Sequence, residues 1–157
     1  MSKRNKKASR NENLIVLSHE HHHGLIFCNR LKKGVGIDGK ILKAYILDFW
    51  ENYLVAHFAN EELVFLPYLN GEELTLQFLE EHRVIRVLVE KIELGEGDIS
   101  EQSLQFATLV YDHIRFEERQ FFPWLEVLLT TEQLSKVGEV FENMDIIAHD
   151  FSPQFWE

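Results

Sequence analysis

Two stretches of this chain repeat one arrangement of residues that can hold a cation. Residues 57–69 read HFANEELVFLPYL and residues 113–125 read HIRFEERQFFPWL. Both give His-x-x-x-Glu-Glu, three further residues, an apolar residue, Pro, an aromatic and Leu. On an α-helix, side chains four apart share a face, with Cβ atoms about 5–6 Å apart. His57 can therefore close on one cation together with Glu61, and His113 together with Glu117. Two such pairs on facing helices would make one site in the middle of a bundle.

Each pair is preceded by a Glu-His dipeptide, Glu20-His21 before the first and Glu81-His82 before the second. Adding these histidines gives a candidate metal set of His21, His57, Glu61, His82, His113 and Glu117. Four imidazoles and two carboxylates with no thiolate suit iron, manganese or zinc better than copper(I), calcium or magnesium. Six donors exceed the four of a structural zinc site. Shared between two metals, with the carboxylates as bridges, they leave coordination positions open to O2, peroxide, NO or hydroxide. The competing reading is a hydrogen-bonded polar core, in which each histidine only packs. That reading must bury two carboxylates side by side, which costs several kcal/mol unless they are paired or metal-bound. No Lys or Arg lies squarely on these faces; Arg86, four residues after His82, is the nearest cation.

Helices must position these residues, and helix signals run from about Asn13 onward. The first helix is NLIVLSHEHHHGLIFCNRLKKG, with Asn11 or Asn13 as N-cap and Gly34 as its stop. Its apolar stripe is Leu14, Leu17, His21, Leu25, Cys28 and Leu31. The second helix is expected over about 40–66, with Leu47, Trp50, Leu54, His57, Glu61, Val64 and Tyr68 inward. Pro67 bends or ends it. The third, about 72–94, turns Leu74, Phe78, His82, Ile85, Val89 and Ile92 inward. The fourth, about 100–129, does the same with Phe106, Val110, His113, Glu117, Phe121 and Trp124, and Pro123 is expected to bend or end it. Thr130 or Thr131 caps a shorter fifth helix, TEQLSKVGEVFENM. The expected fold is all-α: an up-down-up-down antiparallel four-helix bundle over residues 13–130. Residues 131–157 supply the short helix and a tail packed on the bundle.

Composition narrows the remaining possibilities. The 157 residues include 16 basic and 26 acidic side chains, and five of the basic ones fall within residues 1–12. That start reads as a disordered basic tail, and the acidic body behind it repels phosphate backbones, which argues against nucleic-acid binding. No apolar run approaches the ~18 residues of a membrane span. The basic start lacks the apolar stretch of a secretory signal, so a cytoplasmic protein is expected. The single cysteine, Cys28, excludes an intramolecular disulfide and a Cys-rich metal site.

Among the other histidines, only His21 of the run His19, His21, His22, His23 lies on the first apolar stripe, since successive helical residues point about 100° apart. His22 is the second choice, and His19 and His23 face solvent. His149 reaches the site only if the tail folds over the end of the bundle. Glu62 and Glu118 follow the candidate bridges in both stretches and are candidates to hydrogen-bond between helices.

In its combination of an inward His on the first helix, HxxxE on the second, His on the third and HxxxE on the fourth, the chain resembles the hemerythrin-like, or HHE cation-binding, family. The resemblance runs over about residues 14–129. It implies a non-haem di-iron centre, with Glu61 and Glu117 bridging two irons and His21, His57, His82 and His113 capping them. Oxygen-carrying members have HxxxH on the third helix and HxxxxD on the fourth. Here Arg86 stands at the second histidine, and the fourth helix has HxxxE, His113 with Glu117, in place of HxxxxD. These departures point away from an oxygen carrier and toward a more open or more reactive site, and the resemblance as a whole implies a protein that binds or senses a small ligand such as O2. The alternative it implies is a stress-response enzyme handling peroxide, NO or iron-cluster repair.

Overall fold

A computed structural model describes residues 10–144 and 151–157. Seven helical segments are found among them: α1 (Ile15–Lys32), α2 (Gly39–Phe49), α3 (Val55–Phe65), α4 (Glu73–Leu94), α5 (Ile99–Phe116), α6 (Phe122–Leu128) and α7 (Thr131–Glu142). Two of the breaks are not ends. A π-helical turn, Trp50–Leu54, joins α2 to α3, and a second, Glu117–Phe121, joins α5 to α6. The result is four long rods and a short C-terminal helix, an all-α bundle with no strand among the described residues.

The rods start and stop where their capping chemistry dictates. Asp38 and Asp98 accept the backbone N–H groups of Lys40 and Ser100, opening the second and fourth rods. Thr130 and Gln133 form a reciprocal capping box that opens α7. Gly95 adopts φ +74°, a left-handed conformation that closes α4. Pro67 ends the second rod in a single 3-10 turn, Leu66–Tyr68.

Pro123 behaves differently, because the fourth rod continues through it to Leu128. Proline has no N–H, and its ring collides with the carbonyl four residues earlier in a regular helix. The wider π turn just ahead of it relieves that collision. The same two turns alter the expected inward faces. Leu47 and Trp50 are only partly buried, while Leu42, Tyr45, Ile46 and Tyr53 fill the core. Likewise Trp124 is half-buried and Leu125 fully buried. A turn of more than four residues rotates everything beyond it, which a constant 3.6-residue period does not anticipate. In α1 the buried position is Gly24, not Leu25.

The interior is layered along the bundle. One apolar layer is built on Phe27, Leu42, Ile46, Phe58, Ile85 and Phe106. The other contains Leu14, Phe65, Phe78, Phe121, Phe122 and Phe141, so α7 closes that end through Leu134, Val137 and Phe141. Phe151, Phe155 and Trp156 pack on the opposite layer. Arg10 and Asn11, expected within the basic tail, are fixed against the bundle. The Arg10 guanidinium donates to the Glu118 carbonyl at 2.6 Å and pairs with Glu126 at 3.2 Å, and the Asn11 N–H donates to Glu126 at 2.8 Å. No described helix is long and apolar enough to cross a membrane.

Candidate metal centre

A polar layer divides the two apolar ones, and it consists of residues singled out from spacing. His21, His57, Glu61, His82, His113 and Glu117 are each at most 3% exposed. They converge as two overlapping groups, His21–His57–Glu61–Glu117 and Glu61–His82–His113–Glu117. Within each group the donor atoms lie within 4.8 Å of one another. Glu61 and Glu117 belong to both, so each group has two histidines of its own and two shared carboxylates.

Every one of the four imidazoles is held from behind by a second carboxylate. The Nδ1–H groups donate as His21 to Glu118 at 2.7 Å, His57 to Glu20 at 2.6 Å, His82 to Glu62 at 2.7 Å and His113 to Glu81 at 2.7 Å. Because an ionised carboxylate only accepts, these bonds place the proton on Nδ1 and turn each Nε2 inward. The pattern has a two-fold logic. Glu20 and Glu81, each just before one histidine, hold the histidine of the next rod; Glu62, just after one shared carboxylate, likewise holds His82 of the next rod, and Glu118, just after the other, closes the ring on His21 of the first. Aromatic rings fix the ring planes: Phe122 stacks on His21, Tyr53 on His57 and Phe58 on His82, with interplanar angles of 4°, 14° and 14°.

Glu117 Oε1 accepts from the His21 Nε2–H at 2.7 Å, but the other three oxygens of the central carboxylates, both of Glu61 and Oε2 of Glu117, are buried without a hydrogen-bond partner. The nearest imidazole nitrogens stand off: His57 and His82 Nε2 lie 3.4 and 3.3 Å from Glu61, and His113 Nε2 lies 3.2 Å from Glu117 Oε2. His82 and His113 turn their Nε2 atoms toward each other at 3.1 Å. Two lone pairs at that distance repel unless a proton or a metal lies between them. Two nitrogens bound at right angles to one ion at about 2.1 Å stand about 3 Å apart, which is the spacing found. The donor set and its orphaned oxygens fit a pair of cations.

Without metal, protons take that role. Burial alone would push the imidazoles toward neutrality, but the surrounding carboxylates prevail. His57 is raised well above its ordinary range by Glu61, Glu20 and Glu117, and His113 is raised to about 10 by Glu117, Glu81 and Glu61. His21 is raised by Glu117 and Glu118. Glu117, despite its burial, is held well below the carboxylate range by His113 and His21. Metal must displace these protons, so loading a weakly buffered solution of the metal-free protein is expected to acidify it. A titration that shows no proton release would contradict this protonation pattern.

The profile of one family, the hemerythrin HHE cation-binding domain, matches residues 12–125. The chain belongs to the hemerythrin HHE cation-binding family. No curated protein and no solved structure matches it. The family accounts for a cation, and the convergence of Glu61 and Glu117 with four histidines shows which groups of this chain can hold one.

The other candidates take separate places in this HHE domain. Arg86 remains outside the centre, its side chain 42% exposed and its guanidinium 3.7 Å from Glu62. It steadies a carboxylate that holds His82 and does not neutralise Glu61 or Glu117. His19, His22 and His23 are exposed, and His149 falls outside the described residues. Cys28 is buried in the apolar layer and its thiol is pushed up to about 12 by burial, which leaves it unreactive. Glu62 and Glu118 take the inter-helix role their repetition suggested. Glu20 and Glu81 were not assigned that role from sequence, although the repeated Glu-His dipeptide was the available signal.

The carboxylates behind the histidines raise ligand basicity and fix ring direction. Replacing Glu118 with Gln, which keeps the shape but loses the charge, is expected to weaken metal binding about 10–100-fold. Competition with a chelator of known affinity measures the effect, and an unchanged affinity would show that Glu118 only fills space.

Proposed function

We propose that this HHE domain holds two iron ions through His21, His57, Glu61, His82, His113 and Glu117, and that it binds or senses a small ligand such as O2 there. Manganese or zinc could substitute in the same donor set. When bound, the iron pair supplies open coordination positions and the electrons that O2 binding requires. The observation that carries the reading is a void beside the centre. It measures about 10 Å³ and is lined by His21, His57 and His113 on one side and Leu54, Val110 and Ile114 on another. A void of roughly 10–15 Å³ by this measure admits one water-sized molecule. That is the scale of a very small ligand and far too little for an organic substrate.

The residues around the void do three things. The four Glu-backed histidines hold their rings in place whether or not a ligand is present. The apolar wall leaves an incoming ligand no competing hydrogen-bond donor and excludes bulk water. The phenol of Tyr53 is tied to the Glu20 carbonyl, and its pKa is pushed up by burial and by the nearby carboxylates, so it keeps its proton.

Gly24 creates part of this space: a Cβ there would meet Ile114 Cδ1 at 2.8 Å. Gly24→Ala is expected to keep full metal content while lowering small-ligand affinity about tenfold, equivalent to ~1.4 kcal/mol. Equilibrium titration with NO checks this, and an affinity equal to that of the wild type would remove the void from the account.

A second reading, an enzyme that processes peroxide or NO or restores iron to clusters, draws support from Arg86. With Arg86 turned outward, each ion would have only two histidines, and more positions would remain open to reaction. Adding O2 to the reduced protein under anaerobic handling separates the two. A stable, reversible visible band supports binding, whereas rapid irreversible oxidation with peroxide turnover supports the enzyme.

A further inference from the structure

We infer that Tyr53 is the gate between solvent and the centre, and that it sets the size of ligand admitted. This inference rests on the ligand-binding reading above. Besides the small void, the bundle carries a surface cleft of about 240 Å³ between α1 and α2, with Arg30, Asp48 and Asn52 among its polar residues and Phe27 and Phe49 among its apolar ones. Tyr53 is the one residue that lines both the cleft and the void. Its ring is therefore the partition, 5% exposed, between a space open to solvent and a space bounded by His21, His57 and His113.

The partition is held in ways that allow it to move. Tyr53 lies within the π turn Trp50–Leu54, where the backbone departs from the regular helical ladder. Phe49 stacks on its ring at 5.1 Å, His57 at 5.6 Å, and His23 meets it edge-on at 6.3 Å from the exposed side. The phenol makes one hydrogen bond, donated to the backbone carbonyl of Glu20. Glu20 also accepts from His57 through its carboxylate, so the latch and the support of one candidate ligand share a residue. The two bonds use different atoms of Glu20, its carbonyl for Tyr53 and its carboxylate for His57, so the phenol can be released while the carboxylate still holds His57. The corresponding position in the opposite half of the bundle differs. Leu109, four residues before His113 as Tyr53 is before His57, lines a separate surface cleft and does not border the void.

The test uses the iron-loaded, reduced full chain, with NO as probe and stopped-flow absorbance as the readout of association and dissociation. Tyr53→Ala is expected to raise both rates about tenfold or more, with equilibrium affinity changed much less, as for a removed gate. Tyr53→Phe, which keeps the ring and loses the latch, should fall between wild type and Tyr53→Ala. Leu109→Ala should leave both rates at the wild-type value. Methyl isocyanide, a bulkier probe, should bind readily only to Tyr53→Ala. Unchanged rates in both Tyr53 variants, or acceleration by Leu109→Ala instead, would overturn the gate while leaving ligand binding intact. A wild-type protein that loads iron but takes no NO would overturn the ligand-binding reading and the gate together.

Discussion

Replacing Glu117 with alanine is expected to abolish metal binding at both positions, not at one. Glu117 is shared by the two groups of converging donors, and it is the carboxylate on which His21 and His113 close, at 2.7 and 3.2 Å. Its removal takes one carboxylate from each group of donors and leaves His21 and His113 buried without the carboxylate that raises them both. Breaking one partner out of a buried charged pair typically costs about 3–5 kcal/mol. The metal-free variant should therefore also melt well below the metal-free wild type. Elemental analysis after anaerobic loading, together with a thermal melt, measures both effects. Loss of a single ion, with the other retained at full affinity, would contradict the shared role of Glu117. His57→Ala removes an unshared donor and should abolish loading at the His21–His57 position in particular.

The second large effect is a reversal of pH dependence between the loaded and metal-free protein. In the metal-free state, His113 has a folded pKa of about 10 against an unfolded value of 6.5. The stability it contributes is complete below 6.5 and is lost as pH rises through about 10. His21 and His57 are raised and act in the same direction. Glu117 is depressed below 4.5, so its contribution is present above that value and is lost in stronger acid. The loaded protein behaves otherwise, because alkali removes protons that compete with metal and acid restores them. At free metal near 1,000 times its dissociation constant, loading should add ~4 kcal/mol. For a domain of this size that is roughly 10 °C in Tm. The gap between loaded and metal-free Tm is expected to widen from neutral pH toward pH 10 and to close in acid. Paired melts with and without chelator measure it, and a gap independent of pH would show that protons and metal do not compete for these histidines.

Much of the centre could be read from the sequence because its geometry is local. A four-residue spacing places His57 beside Glu61 and His113 beside Glu117 in any helix, whatever the helix packs against. His21 and His82 needed only the additional step of following an apolar stripe. The features that eluded sequence reasoning depend on the relation between rods. Glu20 and Glu81 sit beside inward histidines in the chain, yet the histidines they hold, His57 and His113, belong to the following rods. Nothing in a single helix's periodicity identifies such a partner. The two π turns likewise shifted the expected faces at Leu47, Trp50 and Trp124, because an added residue in one turn changes the phase of the helix beyond it. Arg10 gave no periodic signal either. It is fixed by Glu118 and Glu126 from the far end of the sequence.

Glu118 connects several of these observations. It accepts from His21, from Ser18 at 2.8 Å and from Arg10 at 3.1 Å, and is held below the carboxylate range by His21, Ser18 and Arg10 in spite of its partial burial. Glu62 is the corresponding residue in the other half, with Arg86 beside it. The position that an oxygen carrier would give to a fifth histidine is thus used here to steady the carboxylate behind His82. With Arg86 turned outward, the two groups of converging donors have two histidines each.

The central claim is that four histidines and two shared carboxylates hold a pair of ions in contact through Glu61 and Glu117. Anaerobic iron loading followed by elemental analysis and Mössbauer spectroscopy tests it most directly. The account predicts two irons per chain, magnetically coupled, with both signals lost in Glu117→Ala. One iron per chain, or two that are uncoupled and survive the loss of Glu117, would contradict it.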